Sequence, residues 1–245
     1  MAGKKQEFKA SSSEDMELTM ILSIVALIGV GICVSYLSYG ENIYSVGVFW
    51  PSPVIITLIC NELGKYLIYA ALFKEEKTTL NPRETVAPRK RKPMRLRIGD
   101  ALKFTALIAF FVGLYAIMCI ALGAPALENH EETLVLASVL TILTVLPLAL
   151  FLGTSGCIQY VWTESVEGMS KVEASYVTLV KISAAGALFG AWSGSIVAPL
   201  DWDRRWQAYP IPNIVGALLG YTLGDLGVLG HKLISSIVPS FSFIP

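Results

Sequence analysis

Residues 182–230 read ISAAGALFGAWSGSIVAPLDWDRRWQAYPIPNIVGALLGYTLGDLGVLG, two apolar segments joined by the polar, aromatic turn Pro199–Pro212. Glycine recurs every fourth residue on both sides of the turn: Gly186, Gly190 and Gly194 before it, Gly216, Gly220 and Gly224 after it. Residues four apart share one face of a helix, and glycines there let a second backbone approach closely, as in membrane helix pairs. Folding the stretch about its turn sets Gly186 level with Gly220 and Gly190 level with Gly216. The reading is a glycine-laddered helical hairpin.

The rest of the chain extends this. Of 245 residues, 54% are hydrophobic and 16% charged, far from the balance of a water-soluble domain. The apolar residues come in blocks of about 20, enough to cross a bilayer as helices. The expected fold is an all-α polytopic membrane protein with six spans at about 17–39, 48–73, 100–123, 132–153, 173–198 and 212–230. Residues 17–245 form a single transmembrane domain, and 1–16 read as a disordered polar tail. Cys33, Cys60 and Cys119 fall inside spans and Cys157 at a loop edge, so four free thiols are expected.

Orientation follows from the basic residues. The 74–97 loop carries nine Lys or Arg, Arg89-Lys-Arg-Lys92 among them, against three Glu. With that loop in the cytosol, both termini and the 154–172 loop lie there too. The cytosolic side then holds 14 Lys/Arg and the other side two, Arg204 and Arg205, a strong positive-inside asymmetry. The same loop could bind anionic lipid. The non-cytosolic loops are short, leaving no room for a soluble catalytic domain.

Charges inside spans are costly and usually have a role. Glu62 and Lys65, three apart on one helix face, can neutralise each other; a proton or substrate path is the alternative. Lys181 and Asp225 lie at equal depth but are rotated off the glycine face to opposite sides of the hairpin, and Lys181 is placed to snorkel. In the turn, Asp201-Trp-Asp203 looks like a short metal-binding motif. Metal-dependent transfer would need further oxygen ligands and a phosphate cradle; the short loops offer only Glu41, Glu128, His130 and Glu131, the last three too few and too close for a standard site. Arg204 could instead pair with Asp201 or Asp203. Trp202, Trp206 and Tyr209 suit an interfacial belt. No metal or cofactor is expected, and no catalytic constellation is evident.

Gly190-Ala-Trp192, Pro199-Leu-Asp-Trp-Asp-Arg204, Trp206-Gln207, Pro210-Ile211, Gly216-Ala217 and Gly220-Tyr221 together resemble the signature of the PIG-F family of glycosylphosphatidylinositol (GPI) anchor synthesis. Gly123-Ala-Pro125, Glu128, Glu132-Thr133, Pro147 and Gly153 add to the likeness. The chain departs at Val197-Ala198, at Arg205 (usually Pro) and at Tyr209 (usually Trp). The resemblance implies a non-catalytic multi-pass subunit of the endoplasmic reticulum. Its partners would be the GPI ethanolamine-phosphate transferases for the third and second mannoses, which it binds and stabilises. Membrane lipids are further expected partners, and nucleic acid is not. Asp201, Trp202, Asp203, Arg204, Trp206 and Gln207 would then be interface residues. Two rivals are a lipid transporter using Glu62, Lys65 and Asp225, and a metal-dependent phosphotransferase using Asp201 and Asp203.

Overall fold

The computed structural model describes residues 2–73, 98–125, 128–164, 169, 171–197, 199–200 and 203–237. The helices are α1 (Ala2–Ser38), α2 (Pro53–Phe73), α3 (Ile98–Ala121), α4 (His130–Thr144), α5 (Leu146–Thr163), α6 (Lys171–Gly194) and α7 (Ile211–Ile237), and no strand occurs among the described residues. Short 3-10 turns cover Asn42–Ser45, Ser195–Val197 and Arg205–Gln207. Among the described residues five helices are long and apolar enough to cross a membrane, and α4 with α5 makes a sixth if that bent pair is one span.

That bent pair differs from the straight span expected over 132–153. α4 stops at Thr144 and the chain turns by 69° into α5. Pro147, in the first turn of α5, has no N–H for the helical ladder, and its ring collides with the carbonyl four residues back. A second break sits at Gly153, whose φ of 73° is unsuited to other residues. α5 then stays helical to Thr163, so the loop expected from 154 begins later. Cys157 is buried inside this helix. The N-terminal tail also differs from expectation: α1 already begins at Ala2. Its Ala, Lys, Gln and Glu are good helix formers, and an existing spanning helix spares them the cost of nucleation. The basic 74–97 loop lies outside the described residues.

α4 is the most enclosed helix, buried over nearly all of Thr133–Thr144. Its threonines stay satisfied there by bonding their own backbone, Thr141 Oγ1 to the Ala137 carbonyl (2.8 Å) and Thr144 Oγ1 to Leu140 (2.7 Å). Around α4 pack α2, α3, α6 and α7, and Ala26 of α1 joins Leu58, Val139, Leu143, Ala187 and Leu218 in the same core. α3 lies against α4 at the outer edge of the bundle, its Tyr115 hydroxyl 2.9 Å from Thr144 Oγ1. Only 6% of its apolar window is buried, against 44% for α1, so most of its side chains face outward while Phe104, Ile108 and Tyr115 pack on the core.

α6 and α7 meet backbone to backbone. A Cβ built on Gly190 would land on the Gly216 carbonyl oxygen and 3.1 Å from Gly220 Cα. The relation is mutual: a Cβ on Gly220 would strike the Gly186 carbonyl and lie 3.1 Å from Gly190 Cα. At the ends, Gly194 faces Pro212 and Gly224 faces Ser183, whose Cα would be 2.7 Å from an added methyl. Ala187, Ala191 and Ala217 fill the flanks of the seam, all buried. Asn213 adds a polar tie, donating from Nδ2 to the Ala191 carbonyl at 3.0 Å.

The seam yields a prediction that separates it from ordinary helical glycine. Gly190→Ala forces two backbones apart and is expected to lower stability by about 1–3 kcal/mol, the usual cost of overpacking. Gly227→Ala, where nothing lies within 4 Å of the added methyl, is expected to be neutral or stabilising by up to about 1 kcal/mol. Thermal unfolding of both variants in one detergent checks the difference.

Candidate functional site

Two polar assemblies stand out, one at the loop face and one inside the helices. At the loop face, three segments that the sequence placed on a common side come together. Arg205 reaches across to Glu41 (Nη1–Oε1 3.1 Å), and its guanidinium lies 4.2 Å from the Tyr44 ring centroid. The Phe49 N–H donates to Glu131 Oε1 at 2.7 Å. The Tyr209 hydroxyl donates to Thr133 Oγ1 at 3.1 Å. Burial pushes the Tyr209 phenol up to about 12, despite the opposing hydrogen bond to Thr133, so it acts as a neutral donor.

The turn between α6 and α7 is pinned by Gln207. Its Nε2 donates to the carbonyls of Val197 (3.1 Å) and Leu200 (2.7 Å), and its Oε1 accepts from the Arg204 N–H at 2.9 Å. One amide thus binds three points of the loop. Asp203 is exposed and holds a left-handed φ of 47°. Arg204 is exposed and so is Trp206. Asp201 and Trp202 lie outside the described residues, and so does any pairing of Arg204 with Asp201. Among the described residues no group of three His, Cys, Asp or Glu side chains is arranged to hold a metal ion.

Beside this turn is a half-open cavity of about 110 Å³ lined by Tyr44, Gly47, Glu132, Tyr209, Pro210 and neighbouring residues. Sequence reasoning gave no contact to three residues of this face: Arg205, Tyr44 and Glu132. Arg205 is 164 positions from its partner Glu41, and no local spacing announces a contact of that range.

Inside the helices, Glu62 and Lys65 form a buried pair at 2.6 Å, with 1% and 4% of their surfaces exposed. Lys65 Nζ also donates to the Tyr221 hydroxyl at 2.7 Å, which donates in turn to Glu62 Oε1 at 3.4 Å. The i, i+3 spacing on α2 provides the pair, and α7 supplies the third member. Asp225 is buried one turn further along α7 and accepts from Ser183 Oγ of α6 at 2.6 Å. This corrects the expectation that Asp225 turns away from the hairpin: with only glycine between the helices, its short side chain reaches the neighbouring helix. Lys181 points elsewhere, to exposed Glu164 at 3.4 Å. Ion pair and hydroxyl together stitch α2 to the hairpin. Removing one charge of such a pair leaves the other stranded, a loss of about 3–5 kcal/mol.

Comparison with known proteins places this architecture. A profile of the family described as "GPI biosynthesis protein family Pig-F" matches residues 6–229. The chain is 34% identical over 140 residues to glycosylphosphatidylinositol anchor biosynthesis protein 11 of Yarrowia lipolytica, covering 57% of this chain and 59% of that one. It is 31% identical over 135 residues to the mouse GPI ethanolamine phosphate transferase, stabilizing subunit (55% and 60% covered). The human protein of the same name matches at 33% over 102 residues (42% and 45%). The chain thus spans at most about three fifths of the length of these relatives. No solved structure matches it. With a match running from α1 to the last turns of α7, the chain belongs to the Pig-F family of GPI biosynthesis proteins.

Proposed function

We propose that this chain is a non-catalytic membrane subunit that binds and stabilises GPI ethanolamine phosphate transferases during GPI-anchor synthesis. The observation that carries the reading is the family match over residues 6–229, joined to relatives whose name is that of a stabilizing subunit. The fold is in keeping with it. The described loops are short, and several polar groups at the loop face hold segments together: Gln207 on the turn, Arg205 on Glu41, Tyr209 on Thr133. A partner that meets this rim meets a surface already fixed. The residues offered as contacts are Asp201, Trp202, Asp203, Arg204, Trp206 and Gln207.

The finer assignments belong to the same proposal. The partners are the transferases for the third and second mannoses, the compartment is the endoplasmic reticulum, and the loop face is lumenal with both termini cytosolic. The 14-to-2 distribution of basic residues supports the orientation.

Two experiments follow. Cysteines introduced at Tyr39, which is 81% exposed, and at Lys90 in the basic loop report orientation in sealed microsomes. Membrane-impermeant maleimide is expected to label the Lys90→Cys protein at once and the Tyr39→Cys protein only after permeabilisation; the reverse pattern inverts the topology. For the role, Asp203→Ala and Arg205→Ala are expected to lower phosphoethanolamine transfer only in proportion to the partner enzyme that co-purifies. A complete complex with transfer abolished would move the chemistry onto this chain and overturn the subunit reading.

A further inference from the structure

We infer that the cavity bounded by Tyr44, Glu132 and Tyr209 takes the ammonium group of a zwitterionic phospholipid headgroup. The walls are two phenol rings, a carboxylate and the apolar surfaces of Val48, Pro210 and Ile211. Aromatic faces beside one carboxylate are the surroundings that attract an organic cation, the rings through their quadrupoles and the carboxylate by charge. Glu132 is the carboxylate left for that task. Glu41 holds Arg205 and Glu131 holds the Phe49 N–H, whereas Glu132 makes no hydrogen bond or ion pair among the described residues. The space beside it depends on Gly47, since a Cβ there would lie 2.8 Å from Glu132 Cγ and 3.3 Å from Pro210 Cδ.

The position selects a lipid rather than a free amine. Tyr39, Phe49, Trp50 and Trp206 are exposed around the same loops, as in the aromatic belts that lie at headgroup depth. A half-open cavity of about 110 Å³ admits the tip of a headgroup and leaves the acyl chains outside along the helices. The neighbouring charge selects a zwitterion over a simple cation. Arg205 lies over Tyr44, one of the cavity's own walls, at 4.2 Å, and is largely exposed, so it can meet the phosphate that follows the ammonium. An anionic headgroup with no ammonium, such as that of phosphatidylglycerol, would bring only the phosphate and would leave Glu132 unpaired.

This inference goes beyond the subunit reading and can fail without it, because binding is measured on the purified full chain with no partner present. The assay is native mass spectrometry of the chain titrated separately with phosphatidylethanolamine, phosphatidylcholine and phosphatidylglycerol of identical acyl chains. The expected result is saturable occupancy by one or both zwitterionic lipids at concentrations where phosphatidylglycerol leaves the chain bare. The arm that binds tighter tells whether the ammonium is primary or quaternary. Glu132→Gln is expected to weaken that binding by roughly tenfold or more, as loss of a charged partner does. Tyr44→Leu, at a partly exposed position, is expected to weaken it by about threefold or more. Equal occupancy by phosphatidylglycerol overturns the inference, as does unchanged affinity in both variants. Tight binding of soluble glycerophosphoethanolamine or glycerophosphocholine, matching the lipids, would overturn the lipid assignment.

Discussion

The contact of α6 with α7 through bare backbone is the constraint on which the rest depends. In hydrocarbon, helices gain little from hiding apolar side chains, because the solvent is equally apolar, and association rests on close packing and polar contacts. Glycine at the seam satisfies the first condition. It also makes the second possible, since Asp225 reaches Ser183 only because the helices lie so near. The same approach aims Tyr221 at α2, where it closes the Glu62–Lys65 pair. A seam of leucines would put each of these groups out of range of its partner.

At the other end the seam fixes where the chain can turn. Gly194 lies against Pro212, so the turn must leave one helix and enter the next within a short span. Gln207 takes up the loose carbonyls of that turn, and Arg205 and Tyr209 tie it to the loop after α1 and to the first turn of α4. Rigidity thus passes from the membrane interior to a surface of fixed shape. For the subunit role proposed above, such a surface matters more than reactive groups do.

The features legible in the sequence are those set by local periodicity. A helix must be about 20 residues long to cross a bilayer, so the apolar blocks could be counted. Glycines four apart share a face, and counting from the turn brings Gly186 opposite Gly220, the residues that touch. The i, i+3 spacing likewise puts Glu62 beside Lys65. The break between α4 and α5 was hidden because Pro147 sits in an unbroken apolar run, and proline in a membrane helix can kink it or merely bend it. The contacts of Arg205 with Glu41 and of Lys65 with Tyr221 span 164 and 156 positions. They are products of assembly, and no spacing within one helix encodes them. Asp225 was misread for a related reason: its direction was judged from the helix wheel, whereas the closeness of the neighbouring helix decides what it reaches.

The central claim is that the glycine seam sets the geometry of the loop face. It is tested most directly by cross-linking across the rim with the seam intact and with it forced open. Cysteines replacing Glu41 and Arg205, in a chain with the accessible Cys60 and Cys119 replaced by serine, are joined by a short bifunctional thiol reagent. The account predicts efficient cross-linking with the native seam and its loss when Gly220→Val is added, since the new side chain strikes the Gly186 carbonyl. Equal cross-linking in a folded Gly220→Val protein would show that the loops hold their own geometry and would contradict the account.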